Sequence, residues 1–361
     1  MPQTADFKAI VLNNRPLIDV RAPIEFEKGR FHHAVNLPLM SDEERHLIGI
    51  RYKEKGNEEA IALGESLVSG VIKEERIEAW KQFIAQHPDA LLYCFRGGQR
   101  SGISQQWLLD AGINITRLKG GYKAFRNFLM EESLRISEEV KTLIIGGRTG
   151  SGKTLLLKHC DNMIDLEGLA NHRGSSFGRF VTPQPSQIDF ENNLSYALIQ
   201  HDEKRRKHLV IEHESHNIGR AFIPRVVYDN LMKGELIILE TPLEKRVEIT
   251  FDEYITIAQQ QYQDELGDAG LQQWFDDMAA SFDRIKKRIG SERYLELKAL
   301  LTTAFETQLK GEGTQDHKLW IAPLLHEYYD PMYDYQIEKT SMNITFRGSE
   351  AEVLAYIKTK G

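Results

Sequence analysis

Two cysteines in 361 residues, Cys94 and Cys160, with no Cys-x-x-Cys pair, are too few for a disulfide framework or a cysteine-based zinc site. A reducing compartment suits that count. No apolar stretch reaches the length that spans a bilayer, and the first ten residues, MPQTADFKAI, hold no apolar core of a secretory leader. The expectation is a cytoplasmic chain with no membrane partner. A formal net charge of −7 gives no bulk attraction to nucleic acid, so an RNA partner would need a local basic surface. There is no internal repeat and no low-complexity segment. His213-Glu214-Ser215-His216 is not the His-Glu-x-x-His of a zinc protease. The composition is that of an ordinary globular protein, long enough for two cores.

Short apolar runs alternate with helical patterns from about residue 7 to 130. Pro16 to Val20 and Ala90 to Tyr93 read as buried strands, Ser104 to Ala111 as a helix closed by Gly112, and Ile115 to Leu118 as a third strand. Strand, helix, strand in that order implies parallel βαβ units. The charged run EESLRISEEVK, residues 131–141, marks a domain boundary. Beyond it, Thr142 to Ile145, His208 to Ile211 and Glu235 to Leu239 read as strands, and residues 243–310 are mostly helical in pattern. The boundaries are therefore 1–132 for the first domain, 133–141 for a linker and 142–361 for the second domain.

The second strand of the first domain runs straight into Cys94-Phe95-Arg96-Gly97-Gly98-Gln99-Arg100-Ser101. A nucleophilic cysteine must be a thiolate, and a Gly-rich strand-to-helix turn with converging N–H groups favours one. Arg96 and Arg100 add positive charge. Such a loop can also hold an oxyanion or a persulfide. Cys160, inside LLLKHC, reads instead as a buried core residue. Cys-x-x-Gly-x-x-Arg-Ser suits two chemistries: a phosphatase in which Arg100 grips phosphate bidentately, or a sulfur carrier.

Upstream, Asp19-Val20-Arg21-Ala22-Pro23-Ile24-Glu25-Phe26, Lys28-Gly29 and Ala34-Val35-Asn36-Leu37-Pro38 resemble the N-terminal signature of rhodanese domains, and Leu118-Lys119-Gly120-Gly121-Tyr122 resembles their closing segment. One departure stands out. The spacing from Cys94 to Arg100 is a residue longer than in many simple rhodaneses, which suggests a wider cradle with room for a tetrahedral phosphorus compound.

Gly147-Arg148-Thr149-Gly150-Ser151-Gly152-Lys153-Thr154 fits G-x-x-x-x-G-K-[ST] after a strand and before a helix, which makes it a phosphate-binding loop, or P-loop. Gly147, Gly150 and Gly152 let the backbone wrap a phosphate together with Ser151. Lys153 would neutralise its oxygens, and the Thr154 hydroxyl could hold Mg²⁺. Glu212 and Glu214 end a strand where a Walker-B carboxylate belongs, and Asp165 and Glu167 follow the P-loop helix. Arg173, in the loop 172–178, either clamps a second anion or sits in a solvated connection. ATP or GTP is the default ligand, although such a loop reads phosphates and not a base. Lys204 to His208 and Arg284 to Arg288 are basic clusters. Tyr328, Tyr329, Tyr333 and Tyr335 crowd one C-terminal stretch, where they would pack in a core or stack on unpaired bases.

A rhodanese-like domain ahead of a P-loop domain resembles the bacterial tRNA 2-selenouridine synthases over essentially the whole chain. Asp165-Leu166-Glu167, His172-Arg173-Gly174-Ser175, Gln184-Pro185-Ser186-Gln187 and Glu212-His213-Glu214-Ser215 add to the match. The resemblance implies an α/β fold: a rhodanese-like α/β domain followed by a P-loop NTPase-like α/β domain with a helical C-terminal part. It also implies a transferase acting on tRNA that carries 2-thiouridine at the wobble position. The sulfur is first alkylated by geranyl diphosphate, and the S-geranyl group is then exchanged for selenium from selenophosphate. In that scheme the P-loop holds the diphosphate. Cys94 carries selenium as a selenylsulfide, and Arg96 and Arg100 hold the selenophosphate anion. Two other readings stay open from the residues: a phosphatase-like or sulfur-carrier regulator with a nucleotide-gated P-loop, and a non-catalytic tRNA-binding module.

Overall fold

The structure, a computed structural model, describes residues 1–360. The chain packs as two units, the first of residues 1–136 with 186–204, the second of residues 137–185 with 205–361.

The first unit is built on a five-stranded parallel sheet. Its strands are β1 (Gln3–Thr4), β2 (Leu17–Asp19), β3 (Ala34–Asn36), β4 (Leu91–Tyr93) and β5 (Thr116–Leu118), in the order β1-β5-β4-β2-β3. Every residue of β2 and β4 is buried. Such continuous burial is what a parallel sheet covered on both faces demands. Ile18 and Leu92 pack with Trp80 and Leu108 from the covering helices Gly70–Gln86 and Gln99–Asp110. The β4–helix–β5 unit expected from the sequence is present. Its helix starts at Gln99, five residues before the expected start, and its cap lies at Ala111 and Gly112.

The stretch expected as a linker, 133–141, differs. The helix Gly121–Glu139 runs through most of it. Its charged surface hides a buried seam of Phe125, Leu129, Ser133 and Ile136 at helical spacing. The Ser133 hydroxyl donates to Ser195 at 2.6 Å. Ser195 belongs to the helix Gln187–Glu203, which lies within the expected second domain yet packs in the first unit. Asn192 accepts from Arg126 and donates to the Arg30 carbonyl, each at 2.7 Å, and Asp189 accepts from the Arg30 N–H at 2.7 Å.

The second unit holds a four-stranded parallel sheet, β6 (Thr142–Gly146), β7 (Leu209–Glu212), β10 (Glu235–Leu239) and β11 (Ile344–Gly348), in the order β11-β10-β6-β7. A small antiparallel pair, β8 (Asn217–Ile218) and β9 (Ala221–Phe222), lies apart from it. Residues 243–309 are helical as expected, around a core that includes Trp274, Phe282, Leu301 and Trp320. Among the described residues, no helix is long and apolar enough to cross a membrane.

Candidate active site

Ligands of parallel α/β sheets bind beyond the carboxyl ends of the strands. In the first unit Cys94 sits at that end of the central strand β4 and is 3% exposed. Its thiol donates to the Ser101 hydroxyl at 3.2 Å. The loop is held from behind. The Cys94 and Phe95 carbonyls accept from the Tyr122 and Lys123 N–H groups at 2.9 Å each, and Arg117 donates to the Gly97 and Gly98 carbonyls at 3.1 and 3.2 Å. In a trans peptide the N–H points opposite the C=O, so the N–H groups of residues 95, 96, 98 and 99 face the other way, into the cradle. Gly121 must be glycine for this. Its φ is +60°, and a Cβ there would lie 2.2 Å from the Cys94 carbonyl oxygen.

Arg100 does not project freely into the cradle. Both of its terminal nitrogens engage the Glu25 carboxylate, which also takes an ion pair from Arg45 at 3.1 Å. Burial alone would raise the Glu25 pKa, but the hydrogen bond and charge of Arg100, with the charge of Arg45, hold it below the usual carboxylate range. The phosphatase reading needs the Arg100 guanidinium on the phosphate, and here it is committed elsewhere. Arg96 is exposed, with its guanidinium 5.8 Å from the Phe95 ring. The Glu25–Arg45–Arg100 cluster stands at a cavity of about 520 Å³ whose walls include Leu39, Ile48, Ile61, Val68, Ile103 and Trp107. Ile103 and Trp107 belong to the helix that continues from the cysteine loop.

In the second unit, β6 feeds the P-loop. Gly150 has φ +75°, and a Cβ would come within 2.3 Å of the Thr250 hydroxyl. The helix after the loop, Lys153–Leu157, is only five residues long, so an anion held there would rest mainly on loop N–H groups and Lys153. Lys153 donates to the Gly147 carbonyl at 3.2 Å, and Thr154 contacts Glu167 at 3.4 Å. Gly147, Gly150, Ser151, Gly152, Lys153 and Thr154 line one cavity of about 660 Å³. Arg173, Glu167 and Glu214 line it too, as do tyrosines from the C-terminal stretch. Burial, then the neighbouring Glu214 charge, pushes Glu167 up to about 9, so it keeps its proton at neutral pH.

The description "tRNA 2-selenouridine synthase AAA domain" matches residues 140–361, and "Rhodanese-like domain" matches residues 4–128. Three proteins named tRNA 2-selenouridine synthase align along nearly their full length. That of Sulfurovum sp. (strain NBC37-1) is 57% identical over 99% of this chain and 98% of its own. That of Hydrogenovibrio crunogenus is 49% identical over 97% and 96%, and that of Marinobacter nauticus 47% identical over 99% and 98%. The chain belongs to the tRNA 2-selenouridine synthase family. It is accordingly an enzyme, of the transferase class.

Within this family member the residues singled out from sequence part into two groups. Lys153, Thr154, Arg173 and Glu214 meet at one cavity. Asp165 and Glu212 do not line it. Asp165 caps the helix Leu166–Ala170 by accepting from the Gly168 N–H at 2.6 Å. Glu212 is fully buried and accepts from the Leu166 N–H at 3.1 Å, which fastens that helix to β7. Burial, with the Asp165 charge, pushes Glu212 up to about 8. The loop 172–178 is no solvated connection. Residues 173–176 line the cavity, Phe177 is in the core, and Arg173 lies 4.0 Å above the Phe180 ring. Sequence reading missed Arg246. It is buried, donates to both oxygens of Asp330 at 2.7 Å and to the Thr149 carbonyl at 3.2 Å, and so braces the P-loop. No local signal marks a pair 84 residues apart.

Proposed function

We propose that this enzyme converts wobble 2-thiouridine of tRNA to 2-selenouridine in two steps, each served by one unit. The observation that carries the reading is the aliphatic cavity beside the cysteine loop. A sulfur carrier alone has no use for it, whereas an S-geranyl group needs such a wall.

In the first step the thione sulfur attacks C1 of geranyl diphosphate, diphosphate leaves with the bonding electrons, and the N3 proton of the base is released to water. The P-loop N–H groups, Lys153 and Arg173 would stabilise the charge that develops on that leaving group. Mg²⁺ fits beside them in part. Among the described residues no three His, Cys, Asp or Glu side chains are arranged around a metal. Mg²⁺ is nevertheless usually held by one or two carboxylates with substrate phosphates and water. Thr154 and Glu214 are the residues that would hold it, joined by Glu167 only once the cation displaces its proton, and a bound cation would add charge neutralisation at the diphosphate.

In the second step the geranyl chain occupies the aliphatic cavity, and C2 of the base faces Cys94. The Cys94 thiolate displaces geranyl thiol at C2 and is displaced in turn by the selenium of selenophosphate. Water then cleaves the P–Se bond. Each of these exchanges is redox-neutral. A selenylsulfide on Cys94 would instead need a two-electron oxidant, because selenium in selenophosphate is already at the selenide level. The inward N–H groups, with Arg96, would hold the selenophosphate oxygens. Arg100 would join them only by leaving Glu25.

The test is mass spectrometry of nucleosides from 2-thiouridine tRNA incubated with the enzyme, geranyl diphosphate and selenophosphate. S-geranyl-2-thiouridine should appear first and 2-selenouridine after it. Unchanged 2-thiouridine, with folded enzyme and verified tRNA, would overturn the reading.

A further inference from the structure

The C-terminal tyrosines have no role in the steps above, yet the structure brings them to the phosphate site. The helix Asp330–Lys339 is fastened to the P-loop at two points one helical turn apart. Asp330 takes the bidentate pair from buried Arg246, and Asp334 takes Arg148 of the loop at 2.8 and 2.9 Å. Charge-assisted bidentate pairs of this kind fix orientation as well as position. The helix therefore holds one face to the same cavity as Lys153. Met332, Tyr335, Gln336 and Lys339 recur on that face at the i, i+3, i+4, i+7 spacing of one helical stripe, and all four line the cavity. Tyr335 is 56% exposed, far more than packing would leave it, and the Lys339 ammonium lies 4.4 Å from its ring centre. Tyr329, by contrast, is buried in the helical core.

A hydrocarbon chain laid along this stripe would strip water from Gln336 and Lys339 and give them no partner. A planar base has a π-face for the ring, a polar edge for an amide, and flanking phosphates for an ammonium. The cavity volume of about 660 Å³ lies within the range that encloses a ligand of drug-like size. We propose that Tyr335, framed by Met332, Gln336 and Lys339, is the stacking platform for the unpaired base that is alkylated at the P-loop. This rests on the tRNA reading above and adds to it the residues that seat the base.

The probe is an anticodon stem-loop RNA carrying 2-thiouridine, beside the same RNA with an abasic site at that position, with binding to full-length enzyme read by fluorescence anisotropy. Tyr335→Ala should weaken binding of the 2-thiouridine RNA about tenfold, the scale of one lost base–aromatic stack. Tyr335→Phe, which keeps the ring, should restore it. The abasic RNA should bind wild-type enzyme about as weakly as the 2-thiouridine RNA binds Tyr335→Ala, and the two changes together should cost no more than one, as expected of direct partners. Geranyl diphosphate affinity should stay within about twofold, a difference too small to signal a lost contact. If Tyr335→Ala weakens geranyl diphosphate and spares RNA, the stripe is a prenyl wall and the proposal fails. An abasic RNA that binds wild-type enzyme as well as the 2-thiouridine RNA overturns it without any variant. If wild-type enzyme binds neither RNA, the tRNA reading itself has failed.

Discussion

The two cavities sit at equivalent places, beyond the carboxyl ends of parallel strands, and differ in everything added around them. In the first unit the helices Asp42–Lys55 and Asn57–Leu67, which lie between β3 and β4, contribute aliphatic walls along with Lys53 and Glu65, and Glu25, Arg45 and Arg100 form one charged cluster in the lining. In the second unit charges and rings share the interior: Lys153, Arg173, Glu167 and Glu214 face Tyr333 and Tyr335. The sheet fixes where a loop can act on a ligand. The helices packed over that end decide whether the ligand is greasy or charged. A single chain can therefore offer an aliphatic wall at one site and a phosphate-binding loop with charges and rings at the other, with the same strand-end geometry.

A charge placed in the aliphatic cavity should separate the two sites most sharply. Ile48→Glu puts a carboxylate among those walls, where desolvation is costly. Selenation of S-geranyl tRNA should drop at least about tenfold, mainly through KM, while geranylation holds. An S-methyl substrate, which has no chain to bury, should be spared. Equal losses on both substrates would mean that the cavity does not recognise the chain. A smaller effect is expected from the charged cavity. Glu167 rises from its ordinary 4.5 to about 9 in the folded chain, so between those values the folded state binds more protons than the unfolded one. Stability should fall as pH rises across that window. Glu167→Gln should flatten the slope, measured by urea unfolding at several pH values. An unchanged slope would show that Glu167 does not hold its proton there.

What could be read from the sequence depended on range. Both loops were legible because a tight backbone path imposes glycine locally, as at Gly121 and Gly150. The strands β2, β4, β5, β6, β7 and β10 were legible because a covered parallel sheet writes apolar runs; the edge strands β1, β3 and β11 and the short pair β8–β9 were not, because they are only partly buried or two residues long. The charged run after residue 130 contained the boundary, which falls between Ile136 and Ser137, but hid that the stretch is helical, because a solvated helix face and a linker share a composition; the buried seam from Phe125 to Ile136 was the signal that separates them. Asp165 and Glu212 sat where site carboxylates belong, and the backbone N–H groups of Gly168 and Leu166 claim them. The Glu25–Arg100 and Arg246–Asp330 pairs were out of reach, since nothing near either residue announces a partner 75 or 84 positions away.

The division of labour between the two sites is tested most directly by giving two variants two substrates and reading the nucleosides by mass spectrometry. Lys153→Ala should leave 2-thiouridine tRNA unalkylated in the presence of geranyl diphosphate, a loss of at least about a hundredfold as for removal of a leaving-group stabiliser, yet selenate preformed S-geranyl tRNA normally. Cys94→Ala should do the reverse, accumulating S-geranyl-2-thiouridine and forming no 2-selenouridine. Loss of both steps in either folded variant, or selenation without Cys94, would contradict the account.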